Sequence, residues 1–189
     1  MITYKMHLIR AGRSADRNWK GYVGQWDQSL QEESVRELEE LRRRFSYPKV
    51  EMVYTSSLQR AVQTADILYP DFYTVEMDGL MDMDLGRFEQ RTVEELQGDP
   101  DFEGWLQNSA ENPPPGGEKV EDFTQRIISA VQAIFRRMMD EKMTNVAVIT
   151  HGGVIMSLLS GICLPKRSLD QWSVGYGTGY TLLFTPQMW

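Results

Sequence analysis

The chain of 189 residues has one cysteine, Cys163, and only two histidines, His7 and His151. A single thiol cannot close a disulfide within the chain, which fits a reducing compartment. Two distant histidines and one cysteine give no ligand cluster with zinc spacing, so no metal and no cofactor are expected. Positive charge is also scarce: 20 Lys and Arg face 27 Asp and Glu, for a formal net charge of −7. Nucleic acid and anionic membrane surfaces both select a basic face, so neither is an expected partner. A pocket on an acidic protein can still be locally basic, which leaves anionic small molecules open. No apolar run approaches the ~18 residues of a membrane span. The start, Met1-Ile2-Thr3-Tyr4-Lys5, lacks the apolar core of a signal peptide. A cytoplasmic protein is the expectation.

What the chain does have is enough apolar material, 41% of its residues, to bury a full core. Its length favours one domain over 1–189. Tyr4 to Ile9, Val50 to Tyr54, Phe72 to Val75, Asn145 to Thr150, Gln171 to Val174 and Tyr180 to Phe184 read as strands. Within the fourth, Val146-Ala147-Val148-Ile149 is continuously apolar, as in a strand buried on both faces. Helical stripes lie between them. Val35, Leu38, Leu41 and Phe45 follow a capping box predicted at Ser29 and Glu32. Leu58, Ala61, Val62, Ala65 and Leu68 mark a helix over Ser57 to Leu68. Short helices are predicted at Glu94 to Gln97 and Phe102 to Gln107. Val120, Phe123, Ile127, Val131, Ile134 and Met138 mark a long helix, and Val154 to Ile162 the last. This alternation predicts an α/β fold, a three-layer α/β/α sandwich on a mostly parallel central sheet. From 78 to 117 the pattern loosens, and this segment is expected to be a cap over the site.

Three strand ends carry unusual residues. Arg10 follows the first strand, Arg60 opens the helix after the second, and His151 follows the Asn145–Thr150 strand. In open parallel sheets, ligands bind beyond the carboxyl ends of the strands. A cation near a helix N-terminus opposes the macrodipole. An anion held there would make both the Arg and the free N–H groups into binding groups. Gly12, Gly152 and Gly153 have no Cβ and would let backbone approach a ligand. Ser57 and Thr64 share a helix face with Arg60, so they either line the pocket or face water. His7, inside the first strand, reads as structural, and Cys163 as a buried hydrophobe.

Singly, each of these features is ordinary. Together, Leu8-Ile9-Arg10-Ala11-Gly12-Arg13-Ser14, Ser56-Ser57-Leu58-Gln59-Arg60-Ala61 and Val148-Ile149-Thr150-His151-Gly152-Gly153 resemble the phosphate pocket of the histidine phosphatase superfamily, from Tyr4 to about Phe184. The resemblance implies a phosphomonoester hydrolase acting through a phosphohistidine on a small phosphate ester. It implies that Arg10, Arg60 and His151 hold the phosphoryl oxygens, with Gly12, Ser14, Ser57 and Gly152 around them. The family's Gly-Gln-x-Asp segment, here Gly24-Gln25-Trp26-Asp27, places Gly24 and Gln25 near the substrate, and Trp26 either contacts the leaving group or packs. The family's acid, commonly Glu, aligns with Asp82, and Asp84 is its neighbour and alternative.

The departure that matters most is Ala11. The family has its nucleophilic His there. Ala is the minimal truncation of His, and the rest of the motif is kept. The chain therefore reads as an inactive variant made by substitution, with a natural non-catalytic phosphate-ester binder as the alternative. Leu85-Gly86-Arg87-Phe88-Glu89 and Pro113-Pro114-Pro115-Gly116-Gly117-Glu118 further resemble α-ribazole phosphatases, which act in cobalamin assembly, and broad small-molecule phosphatases. A phosphoglycerate-type mutase is a further alternative, although the chain is short for one. Asp82-Met83-Asp84 could suggest a magnesium-dependent aspartate nucleophile, but the pair is in mid-chain and does not follow the first strand.

Overall fold

The computed structural model of the protein describes residues 2–185. Five strands form one sheet in the order β3-β2-β4-β1-β5. They are β1 (Tyr4–Arg10), β2 (Met52–Thr55), β3 (Thr74–Glu76), β4 (Asn145–Thr150) and β5 (Gly179–Phe184). The first four are mutually parallel, and β5 pairs antiparallel with β1 at the edge. The helices are α1 (Glu32–Arg44), α2 (Gln59–Leu68), α3 (Val93–Leu96), α4 (Pro100–Gln107), α5 (Val120–Asp140) and α6 (Gly152–Ile162).

The side-chain period of a strand explains the three layers. In β4, Val146 and Val148 face one side and pack with Ile127, Val131 and Ile134 of α5 and with Val154 and Leu158 of α6. Ala147 and Ile149 face the other, against Leu38 of α1 and Ala61, Ala65 and Leu68 of α2. Every residue of Val146–Ile149 is fully buried, as its unbroken apolar run predicts. A smaller aromatic cluster of Phe88, Leu96 and Phe102, with Tyr22 and Trp105 against it, organises the segment from 78 to 117. Its two recognisable motifs fold together. The Arg87 amide donates to the Pro115 carbonyl, and the Glu118 amide to the Asp84 carbonyl. Gly86 has φ +48°, and a Cβ there would meet the 115–117 backbone, so glycine is required.

Three local expectations change. The box at Ser29 does not form: Ser29 Oγ donates to Gln59 Oε1, and Gln31 precedes the helix without a side-chain cap. Glu32 and Glu33 in the first turn and Arg42 to Arg44 in the last complement the macrodipole instead. Capping boxes form instead at Thr92 with Glu95 and at Ser168 with Gln171. Gln171 to Val174 is no strand: Leu169–Trp172 is a 3-10 turn that buries Trp172 beside α6. Cys163 is only half-buried, at the end of α6. His7 is structural, as expected: Nε2 donates to Asn145 Oδ1 (2.6 Å), and Nδ1 pairs with Thr181 Oγ1 (2.8 Å), tying β1 to β4 and β5. No helix among the described residues is long and apolar enough to cross a membrane.

Gly179 stands opposite Ile9 in the β1–β5 pair. A Cβ there would lie inside the contact distance of the Leu8 carbonyl oxygen. Gly179→Ala is therefore expected to cost roughly 1–3 kcal/mol through forced displacement of β5. Denaturant unfolding checks it, and an unchanged midpoint would contradict this packing.

Candidate active site

The carboxyl ends of β1 and β4, the start of α2 and the loop after β3 meet at a cavity of about 220 Å³. Arg10, Ala11, Gly12, Ser14, Arg60, Asp82, His151 and Gly152 all line it. Eight of the positions singled out in the sequence thus share one wall. The β1–β4 register sets Arg10 opposite Thr150, so Arg10 and His151 leave neighbouring strands at the same level. The Ala11 amide donates to the Thr150 carbonyl (2.7 Å), which fixes the chain as it turns off the sheet.

Each charged group is held by backbone. Arg10 donates to the Val174 carbonyl (2.7 Å), and its guanidinium lies 4.0 Å from the centre of the Tyr176 ring. Gly152 leaves room for it, since a Cβ there would sit 3.2 Å from Arg10 Nε. Arg60 is 5% exposed and donates to the carbonyls of Gly24 (2.7 Å) and Trp26 (3.1 Å). Thr64 settles its own alternatives: it is fully buried, accepts from the Gly12 amide (2.9 Å) and donates to the Arg60 carbonyl (2.6 Å). It locks the Arg10–Gly12 turn to the first turn of α2. The start of α2 differs from expectation, because the Gln59 amide already donates to Asp27 Oδ1 (2.7 Å). The helix end is thus already occupied, and Arg60 is the residue of α2 that lines the cavity.

His151 Nε2 pairs with Ser56 Oγ at 2.8 Å, and Nδ1 has no hydrogen-bond partner among the described residues. Burial, with the charges of Arg60, Arg10 and Arg126, pushes the imidazole pKa well below 6.5, so the ring is neutral near pH 7. The carboxyl of Asp82 faces the cavity, packed against Gly153 and accepting from the Met83 amide (3.0 Å). Close packing raises its pKa above 3.8, and nearby Arg60 opposes this only in part. Asp84 does not line the cavity; its carboxylate accepts from the Gly86 amide (2.8 Å).

Gly24, Gln25 and Ser57 do not line the cavity either. The Gly24 carbonyl receives Arg60, and Gln25 Nε2 donates to the Asp82 carbonyl (3.0 Å). Ser57 Oγ donates to Asp78 (2.5 Å). Gly24 and Gln25 thus hold Arg60 and Asp82 from outside the lining, while Ser57 ties the start of α2 to Asp78. Trp26 packs edge-on against Trp19. Sequence reasoning missed Arg126, which reaches from α5 to the carbonyls of Asp78, Gly79, Met81 and Asp82 and pairs with Glu118 at 2.8 Å. It fixes the loop that carries Asp82. Also missed as cavity walls were Arg13, Ala15, Asp16, Arg17, Trp19, Gly21, Val23 and Tyr176. Tyr176 follows β4 and α6 in a loop without any motif, so nothing local announced it.

A family model for the histidine phosphatase superfamily (branch 1) matches residues 6–189. The chain belongs to that superfamily. It is 28% identical over 169 residues to "Putative phosphoserine phosphatase 2" of Hydrogenobacter thermophilus, covering 85% of this chain and 80% of that protein. The α-ribazole phosphatase of Shigella flexneri superposes with a TM-score of 0.78 at 22% identity, over 92% of this chain and 87% of that one. A His-to-Ala variant of the Entamoeba histolytica phosphoserine phosphatase, in complex with phosphoserine, does so with a TM-score of 0.76 at 21% identity, over 96% and 95%. These likenesses show the α/β fold.

The two pKa shifts have opposite consequences for stability. A depressed His151 pKa adds stability above 6.5 that is lost as pH falls below it, because the unfolded chain then binds the proton. His7, lowered mainly by burial, has the same sign. The raised Asp82 pKa works the other way, its contribution fading as pH rises through its folded value. Chemical denaturation at pH 7.5 and 5.5 is expected to show a loss of stability on acidification that shrinks in His151→Gln. An equal loss in both proteins would contradict a neutral, buried His151.

Proposed function

We propose that the cavity receives the phosphoryl group of a small phosphate monoester, and that the chain is a phosphomonoester hydrolase of the phosphohistidine type whose nucleophile is replaced at Ala11. One observation carries the reading. Arg10, Arg60, His151 and Asp82 converge on a single cavity with Ala11 in its wall. Two guanidinium forks suit the tetrahedral, multiply charged phosphoryl group. The neutral His151 adds a ring nitrogen without a hydrogen-bond partner among the described residues. Asp82, held toward its protonated form, is placed to protonate the leaving oxygen, and it is favoured over Asp84 because only Asp82 reaches the cavity.

Phosphoryl transfer depends mostly on positioning and on charge stabilisation, which this wall supplies. With His at position 11, its imidazole would attack phosphorus, the leaving oxygen would take the Asp82 proton, and water would then cleave the phosphorus–nitrogen bond. The Ala11 methyl has no electron pair to offer, so the chain as it stands binds without turnover. The whole chain acts as one domain in this reading, and 78–117 forms the cap that selects the leaving group. α-Ribazole 5′-phosphate, a nucleotide or a sugar phosphate are the substrates in view; the α-ribazole and phosphoserine phosphatases among the relatives support a metabolite of that size.

Ala11→His is the direct test. Phosphate release is expected to rise roughly 10³-fold or more over the parent chain, without added metal and in the presence of a chelator. A folded Ala11→His protein that binds orthophosphate and releases none from any substrate would favour a natural binding protein. Separately, Arg60→Lys is expected to weaken orthophosphate binding to the parent chain about tenfold, because a point charge replaces a planar fork. Calorimetry near pH 7 checks it, and an unchanged affinity would remove Arg60 from the site.

A further inference from the structure

The bond made by one ring nitrogen of His151 decides what the other can offer a phosphate, so this inference rests on the phosphate-binding reading above. Parallel β2 and β4 set Thr55 opposite Ile149, and the Ser56 amide donates to the Ile149 carbonyl (2.9 Å). Ser56 and His151 are the first residues beyond their strands. The pairing brings Ser56 Oγ to 2.8 Å from His151 Nε2. Ser56 is fully buried and does not line the cavity, whereas His151 does. Nε2 is thus engaged outside the lining, and Nδ1 has no hydrogen-bond partner among the described residues.

A hydroxyl has one proton to give. The Leu58 amide already donates to Ser56 Oγ (3.3 Å), and among the described residues His151 Nε2 is the one acceptor that the Ser56 hydroxyl meets. If Nε2 carried the ring proton, two N–H groups would point at one oxygen. The Ser56 proton would then be buried with nothing to accept it. The hydrogen bonds balance only when Ser56 donates to a bare Nε2, which puts the proton of the neutral ring on Nδ1. Burial and the charges of Arg60, Arg10 and Arg126 keep the ring neutral, so the choice of nitrogen matters. His7 has the opposite form. Its Nε2 faces Asn145 Oδ1, while Asn145 Nδ2 donates to the Lys49 carbonyl, so Nε2 of His7 carries the proton.

We infer that Ser56 is a positioning residue: by donating to Nε2 it holds His151 as the Nδ1–H tautomer, so that the ring meets a phosphoryl oxygen with a donor. The reverse tautomer would turn a lone pair toward the anion and repel it. Ser56 thus completes a wall in which Arg10, Arg60 and His151 all donate, and it does so from outside the cavity.

The test uses the chain as it exists, carrying nitrogen-15-labelled histidine, and two-bond proton–nitrogen correlation spectra near pH 7.5. His7 and His151 are the only histidines, and His7→Gln assigns their signals. His151 is expected as Nδ1–H and His7 as Nε2–H, with and without orthophosphate. Ser56→Ala is expected to mix the two His151 tautomers. It is also expected to weaken orthophosphate binding roughly three- to tenfold by calorimetry, since only the Nδ1–H fraction is competent. Ser56→Thr keeps the hydroxyl and is expected to restore both. An Nε2–H or imidazolium His151 in the parent chain, free or with orthophosphate, would overturn the inference. So would an unchanged tautomer and affinity in folded Ser56→Ala, or a folded Ser56→Thr that matches Ser56→Ala. Orthophosphate binding by a parent chain with Nε2–H His151 would overturn the inference alone. A parent chain that holds Nδ1–H and binds no orthophosphate would overturn the phosphate reading, and the donor role with it, while the Ser56–His151 pairing would stand.

Discussion

Two guanidinium groups without an ion pair among the described residues are the constraint on which this site depends. Among the described residues, neither Arg10 nor Arg60 forms an ion pair, and Arg60 is almost wholly buried. A buried charge without a partner is costly. Here backbone carbonyls of Val174, Gly24 and Trp26 take part of the load, and the Tyr176 ring covers Arg10. Asp82, Asp27 and Glu89 act on Arg60 without pairing with it, and Asp82 is itself drawn toward its neutral form by packing. Positive potential is thus stored in a small, low-dielectric cavity on a chain of net charge −7. An anion entering it gains more than it would on an open surface.

The fold exists in a form that makes this storage possible. Parallel pairing of β1 with β4 and of β4 with β2 brings three carboxyl ends to one edge of the sheet. Thr64 and Thr150 then tie the loops leaving that edge to the helix and loop beside them, Thr64 through Gly12 and Thr150 Oγ1 through the Leu80 carbonyl (2.7 Å). Arg126 adds a fastening from the other face, four carbonyls deep in the loop that carries Asp82. Both helical layers thus hold the site.

Much of this was legible in the residues. The apolar run of β4 and the long stripe of α5 were unmistakable, since burial on both faces and a 3.6-residue period leave clear patterns. Arg10, Arg60 and His151 were found because strand ends and motifs mark them locally. What escaped had no local mark. Trp172 looked like part of a strand, yet tertiary packing against α6 winds its segment into a turn. Ser29 looked like a helix cap, yet a side chain from α2 claims its hydroxyl. Arg126 and Tyr176 come from distant parts of the chain, and only the folded arrangement brings them to Asp82 and Arg10. Gln25, placed by a family pattern, and Ser57, read from the helix face of Arg60, do not line the cavity; their side chains bond Asp82 and Asp78 instead.

The central claim is that Arg10, Arg60 and His151 form a phosphate site around Ala11. A crystal structure of the chain grown with orthophosphate tests it most directly. The account predicts a phosphate in this cavity, accepting from both guanidiniums and within hydrogen-bond distance of His151, with Asp82 facing its open side. Phosphate bound only elsewhere, or a cavity that excludes it at concentrations far above those of cells, would contradict the account.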